Sequence, residues 1–171
     1  MSFDKALAFV LTLEGGYVNH PNDKGGATNK GITQRAYNSY RVTTGHAKQS
    51  VQLIEDQEVA DIYKDNYWIA AKCPALQPKT AFIHFDASVN HGVGRAARLL
   101  QDVVGVVVDG KIGPQTIKAA NSLEDAEIVT RYLDTRHELY EDIIEADPSQ
   151  GVFYNGWMNR LSKLSGALLK V

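Results

Sequence analysis

Between Phe82 and Val103 the chain carries two apolar series, parted by Gly92-Val93-Gly94, and they dictate what it can fold into. Phe82, Phe85 and Val89, then Ala96, Leu99, Leu100 and Val103, recur at helical spacing. A helix apolar on most of its faces has to be surrounded by other elements. The pair is therefore expected at the centre of the fold. The surrounding periodicities are helical as well. Phe3, Leu7, Val10 and Leu11 form one stripe, with Ser2 as N-cap and Gly15-Gly16 as the stop. A short helix is expected from Gln34 with Thr33 as its cap, and another through Val59, Ile62, Tyr63 and Tyr67. Pro114 suits the first position of a further helix after Gly113. Ile128, Tyr132, Leu139 and Ile143 mark a long acidic helix ending near Asp147-Pro148, and Phe153, Trp157, Leu161, Leu164 and Leu168 mark the last. Only Val106 to Asp109 reads as extended. The expected class is all-α.

A chain of 171 residues is long enough to bury a core unaided, roughly 70% of its extended surface by size scaling. Its single cysteine, Cys73, excludes a disulfide framework and every multi-cysteine metal motif. A formal charge of −2 provides no basic field for duplex nucleic acid, so no nucleic-acid partner is expected. Charge is nonetheless segregated: residues 1–50 hold six Lys or Arg against three acids, and residues 123–149 hold nine acids against two bases. The longest apolar run, around Val103 to Val108, is too short to span a bilayer, so no stable membrane insertion is expected. Met1 to Leu13 lacks the layout of a signal peptide. The expectation is a monomer synthesised in the cytoplasm.

Residues 14–33 form a glycine-rich segment of a length that is uncommon without a function. Glu14 follows Val10 by four residues and Leu7 by seven, which places it on the buried stripe at a helix C-terminus. Partial desolvation and the negative end of the helix dipole both favour the neutral acid. That is the form a general acid needs to cleave a glycosidic bond. Asp23 and Thr28 follow across the loop. A second carboxylate could hold or activate a water, and a hydroxyl beside it could orient that water; Asp-Lys-Gly-Gly is also an ordinary turn composition.

Glu14-Gly15-Gly16-Tyr17, followed by Asn22-Asp23-Lys24-Gly25-Gly26-Ala27-Thr28-Asn29-Lys30-Gly31-Ile32-Thr33, resembles the N-terminal signature of glycoside hydrolase family 108. These are N-acetylmuramidases found among phage endolysins and bacterial proteins once called secretion activators. Phe85-Asp86-Ala87-Ser88-Val89-Asn90-His91-Gly92 resembles the family's central helix. Ala96 to Gln101, Val108 to Thr116 and Gly156 to Arg160 resemble its C-terminal predicted peptidoglycan-binding region. The resemblance implies a lysozyme-like helical fold, with residues 1–90 as the catalytic region and 91–171 as a wall-binding helical region packed into the same globule. It implies that Glu14 is essential. The order Glu14, Asp23, Thr28 is similar to that of phage-type lysozymes, with the gap from Asp to Thr one residue shorter. The partner implied is the glycan strand of peptidoglycan. A cytoplasmic product would reach it through a holin or a secretion system.

Other residues are open to two readings. Asp86, within the apolar helix, is either a buried structural acid or part of the sugar groove. Asn90 and His91 either cap that helix or contact N-acetyl groups. Tyr17 and Tyr154 are candidate groove aromatics, whereas Trp157 lies on the last helix's apolar stripe. The five histidines show no metal-ligand spacing, Cys73 has no evident catalytic partner, and no Gly-x-Ser-x-Gly occurs. Neither metal nor cofactor is expected. The alternatives to a muramidase are a lytic transglycosylase using Glu14 alone and a non-catalytic protein that binds the wall or assists secretion.

Overall fold

The computed structural model describes residues 2–19 and 26–171. Its contacts divide into two compact units, Phe3–Asn66 and Tyr67–Val171. The all-α expectation holds: eight α-helices account for the architecture, and the only strands among the described residues form one short hairpin.

In the first unit, α1 (Phe3–Leu11) buries Ala6, Leu7 and Val10. The hairpin follows as β1 (Thr28–Asn29) and β2 (Ile32–Thr33), paired antiparallel with Thr28 opposite Thr33. Then come α2 (Gln34–Thr43), a 3₁₀ turn at Val51–Leu53 and α3 (Asp56–Tyr63). Thr33 caps α2 as its sequence position predicts, its hydroxyl accepting from the Ala36 N–H at 3.2 Å. At α3, Glu55 and Glu58 form a capping box. Glu58 also accepts from the Tyr37 hydroxyl and pairs with Arg41 at 2.9 Å. Burial pushes the Glu58 carboxyl up, but the hydrogen bonds from Tyr37 and Arg41 prevail and hold it below the usual range. It is an ionised structural anchor.

Lys64–Ile69 forms a π-helical turn. The second unit contains a 3₁₀ turn at Cys73–Ala75, then α4 (Pro78–His91), α5 (Val93–Val103), α6 (Pro114–Ser122) and α7 (Asp125–Ala146). A 3₁₀ stretch at Pro148–Phe153 leads into α8 (Tyr154–Leu168). Every residue of α4 from Thr80 to Ser88 is buried, which makes it the central helix of this unit. The orphan N–H groups at its start are met by Asp125, whose carboxylate accepts from Lys79 N at 2.8 Å, Thr80 N at 2.7 Å and the Thr80 hydroxyl at 2.6 Å. Gly92, at φ 82°, ends α4 and lets α5 begin at the next residue. Pro114 occupies the first position of α6.

Three expectations are corrected. The segment after α1 is not a loop throughout, because Val18 and Thr28 exchange two backbone hydrogen bonds of 2.8 Å and the hairpin follows. Val106 to Asp109 is not a strand: Gln101 reaches into this turn, donating to Asp109 Oδ1 at 2.7 Å and accepting from the N–H groups of Asp109 and Gly110. On α7 the buried series is Ile128, Tyr132, Arg136 and Tyr140, and Leu139 and Ile143 are only half-buried.

Candidate active site

Glu14 does not sit on the last turn of α1. The helix stops at Leu11, where two i→i−3 bonds, Thr12 N to Phe9 O at 3.0 Å and Leu13 N to Val10 O at 2.9 Å, tighten the chain out of α geometry. The Thr12 hydroxyl adds a second claim on the Phe9 carbonyl at 2.6 Å. Glu14 is therefore carried three residues past the helix, half-buried.

Its carboxyl lies on the turn of the hairpin. Lys30 and Gly31 both have positive φ, 49° and 76°, the pattern of the two-residue primed turns that match strand twist. A Cβ at Gly31 would stand 2.9 Å from Glu14 Oε2 and 3.3 Å from Glu14 Cδ, and would also run into the Tyr63 hydroxyl. Glycine thus removes the atom that would occupy the carboxyl's seat. Tyr63, on α3 and almost fully buried, donates from its hydroxyl to the Lys30 carbonyl at 2.9 Å. This bond fixes the turn that Glu14 rests on. The hairpin is held a second time by Asn29, a buried amide that donates to Val51 O at 3.1 Å and Gln52 O at 3.4 Å. Such a short hairpin needs these tethers, since two strands alone are marginal in water.

Of the other residues singled out in this unit, Thr28 is half-buried on β1, its hydroxyl 3.5 Å from Gly26 O. Tyr17 is exposed. Asp23 lies outside the described residues. Gly31 and Tyr63 were not marked as site residues by sequence reasoning. A Lys-Gly pair flanked by Thr-Asn and Ile-Thr was the available signal for the turn.

In the second unit, Asp86 is fully buried on α4 between two guanidinium groups. Arg136 of α7 approaches its Oδ2 at 2.7 Å and Arg160 of α8 its Oδ1 at 2.9 Å. Burial acts to raise the Asp86 carboxyl, but the two arginine charges outweigh it and hold it below the normal carboxylate range. With both oxygens engaged, Asp86 has the geometry of the structural reading rather than of a groove residue. Next to it, Tyr140 donates to Asn90 Oδ1 at 3.0 Å and lies 3.2 Å from His91 Nε2. Trp157 stacks on Tyr140 with ring centroids 4.7 Å apart. Burial, then the charge of Arg136, lowers His91 to about 3, so its imidazole is neutral. Tyr154 is half-buried, its hydroxyl 3.3 Å from His137 Nε2. Cys73 is buried, its thiol pushed up by desolvation. Among the described residues no three His, Cys, Asp or Glu side chains are grouped to hold a metal ion, and no helix is long and apolar enough to cross a membrane.

Comparison with known proteins adds to this geometry. Residues 7–92 match the family model described as glycosyl hydrolase 108, and residues 95–162 match one described as a predicted peptidoglycan domain. The solved structure of SagA from Brucella abortus aligns with a TM-score of 0.80 at 33% identity, covering 98% of this chain and 94% of that one. No curated protein matches.

Proposed function

Because the chain belongs to the glycosyl hydrolase 108 family, with a predicted peptidoglycan domain behind the hydrolase match, we propose that it is an N-acetylmuramidase with Glu14 as general acid. Glycoside hydrolysis and a role on peptidoglycan follow from the two family matches. The bond and the acid are our reading. The bond is the β-1,4 linkage between N-acetylmuramic acid and N-acetylglucosamine. The observation that carries the reading is the seat of Glu14: a half-buried carboxyl held against Gly31, on a turn tied to Tyr63.

In this mechanism the Glu14 carboxyl gives its proton to the glycosidic oxygen as the bond from that oxygen to the muramic C1 breaks. Positive charge developing at C1 is quenched by water, which leaves its hydroxyl there. Asp23 takes the water's second proton, and Thr28 orients the molecule. With a water between them, two such carboxyls stand about 6.5–9.5 Å apart and the anomeric configuration inverts. Tyr17, Asn90 and Tyr154 are the side chains we assign to glycan contact. The enzyme would act on the wall after export or release of the protein, as a monomer and without a cofactor.

Digestion of purified peptidoglycan by the wild type and Glu14→Gln, with mass spectrometry of the fragments, tests this. The expected result is reducing-end muramic acid from the wild type, lost in a folded Glu14→Gln. Anhydro-muramic ends would make the protein a lytic transglycosylase. Wall binding with no released glycan from either protein would overturn catalysis altogether.

A further inference from the structure

One groove in the Phe3–Asn66 unit is lined by neither Glu14 nor Gly31. It has a volume of about 610 Å³ and lies between α2 and the α3–π-helical segment. That volume falls within the roughly 300–1,000 Å³ typical of small-ligand sites. Its walls are polar. Arg35 and Ser39 of α2 face Asp65 and Asn66 of the π-helical turn, and among the described residues none of these four side chains has a hydrogen-bond or ion-pair partner. The Tyr40 ring lines the same groove, fixed by its hydroxyl's bond to Asp61 Oδ2 at 3.0 Å.

Three features define what this groove can hold. One cation faces one anion, so the lining has no net attraction for a polyanion or a polycation. Aliphatic side chains in the lining are confined to Ala36 and Ile62, with Tyr40 the one ring, too little for a lipid or an amphipathic helix. What remains is a set of hydroxyl, amide and charged groups beside one half-buried aromatic face, which suits a neutral ligand rich in hydroxyls and amides. The π-helical turn is a second, independent sign. Such turns are rare and concentrate at functional sites, and here it supplies Asp65 and Asn66. Thr33 lines the groove and lies two residues beyond Gly31, about 7 Å along extended chain.

We propose that this groove is a saccharide subsite that takes an N-acetylated stretch of the glycan strand, with Asn66 and Arg35 hydrogen-bonding its acetamido and hydroxyl groups and Tyr40 packing on a sugar face. The assignment rests on the proposed glycan substrate and extends binding from the hairpin that seats Glu14 to a surface away from the scissile bond. Its residues determine affinity and play no part in proton transfer.

The test uses a β-1,4-linked N-acetylglucosamine tetramer titrated into full-length Glu14→Gln, read by backbone amide shifts. Saturable shifts at Ser39, Thr43 and Asn66 are expected, with affinity weakened about tenfold by Asn66→Ala, the loss of one good hydrogen bond. In the otherwise native enzyme, Asn66→Ala and Arg35→Ala should each raise KM on polymeric peptidoglycan, with the loss in KM rather than kcat. Shifts confined to the Thr28–Thr33 hairpin, or an unchanged KM in both variants, would overturn the proposal. If the wild type releases no glycan while the groove shifts saturate, the subsite stands and the muramidase reading falls.

Discussion

Gly31→Ala puts the seat of Glu14 to the test, and Gly26→Ala is its built-in control. Both glycines have nearly the same positive φ, 76° and 74°. An alanine at either carries the cost of the left-handed region, about 1–2 kcal/mol. They differ in surroundings. Nothing lies within 4 Å of a Cβ at Gly26, whereas at Gly31 the new atom would overlap the Tyr63 hydroxyl and stand 2.9 Å from Glu14 Oε2. The Tyr63 hydroxyl, the nearer of the two, and the Glu14 carboxyl both have to give way, the carboxyl by on the order of 1 Å to recover ordinary contact. Misplacement of that size costs a reaction about 10²-fold. For a chain this long, the shared strain lowers the unfolding midpoint by roughly 2–8 °C. The expectation is that Gly31→Ala loses more stability than Gly26→Ala, because it also displaces the Tyr63 hydroxyl from Lys30, and that only Gly31→Ala loses about 10² in the rate of glycan release. Thermal unfolding and a reducing-end assay on purified peptidoglycan read the two quantities. Equal activity in the two variants would refute the argument that Gly31 holds the acid in place.

Two further outcomes follow from the second unit. Asp86→Ala leaves Arg136 and Arg160 facing each other without the carboxylate between them, and should cost about 3–5 kcal/mol in urea denaturation; a cost below 1 kcal/mol would show that water reaches the cluster. His91, lowered to about 3, and His84, lowered by burial to about 4, stay neutral in the fold while the unfolded chain takes up protons below about 6.5. The unfolded state then binds more protons, so stability falls as pH drops from about 6.5 toward 4, by about 1.4 kcal/mol per pH unit for each histidine. His91→Gln should remove one such increment from the slope of stability against pH, and an unaltered slope would contradict the burial of that imidazole.

How much of this was legible beforehand depended on whether a residue's role was local. Thr33 as cap, Pro114 at a first helical position and Gly92 as the break between α4 and α5 depend on neighbours in sequence, and each was readable there. The hairpin was not: two residues per strand are too few to show an alternating pattern, and one of its two positive-φ residues is a lysine. On α7 the i+4 series 128, 132, 136, 140 contains an arginine, and apolar periodicity skips a charged residue in favour of Leu139 and Ile143. A buried acid on α4 was the missing clue, because its counter-ions stand 50 and 74 residues away. Glu14 was singled out, but its helix ended earlier than the stripe implied, and its contact with Gly31 is tertiary.

The hairpin that bears Glu14 has a consequence for anyone who would transplant it. A loop graft of residues 14–33 would carry the acid and the glycine but leave behind Tyr63 and the Val51 carbonyl, which hold the turn from outside. In a recipient scaffold the same twenty residues would lack their moorings and present the carboxyl in many poses. The smallest portable unit is therefore a patchwork of three separate stretches of chain, and a minimal version of this site has to be built from the α3 side as well as from the loop.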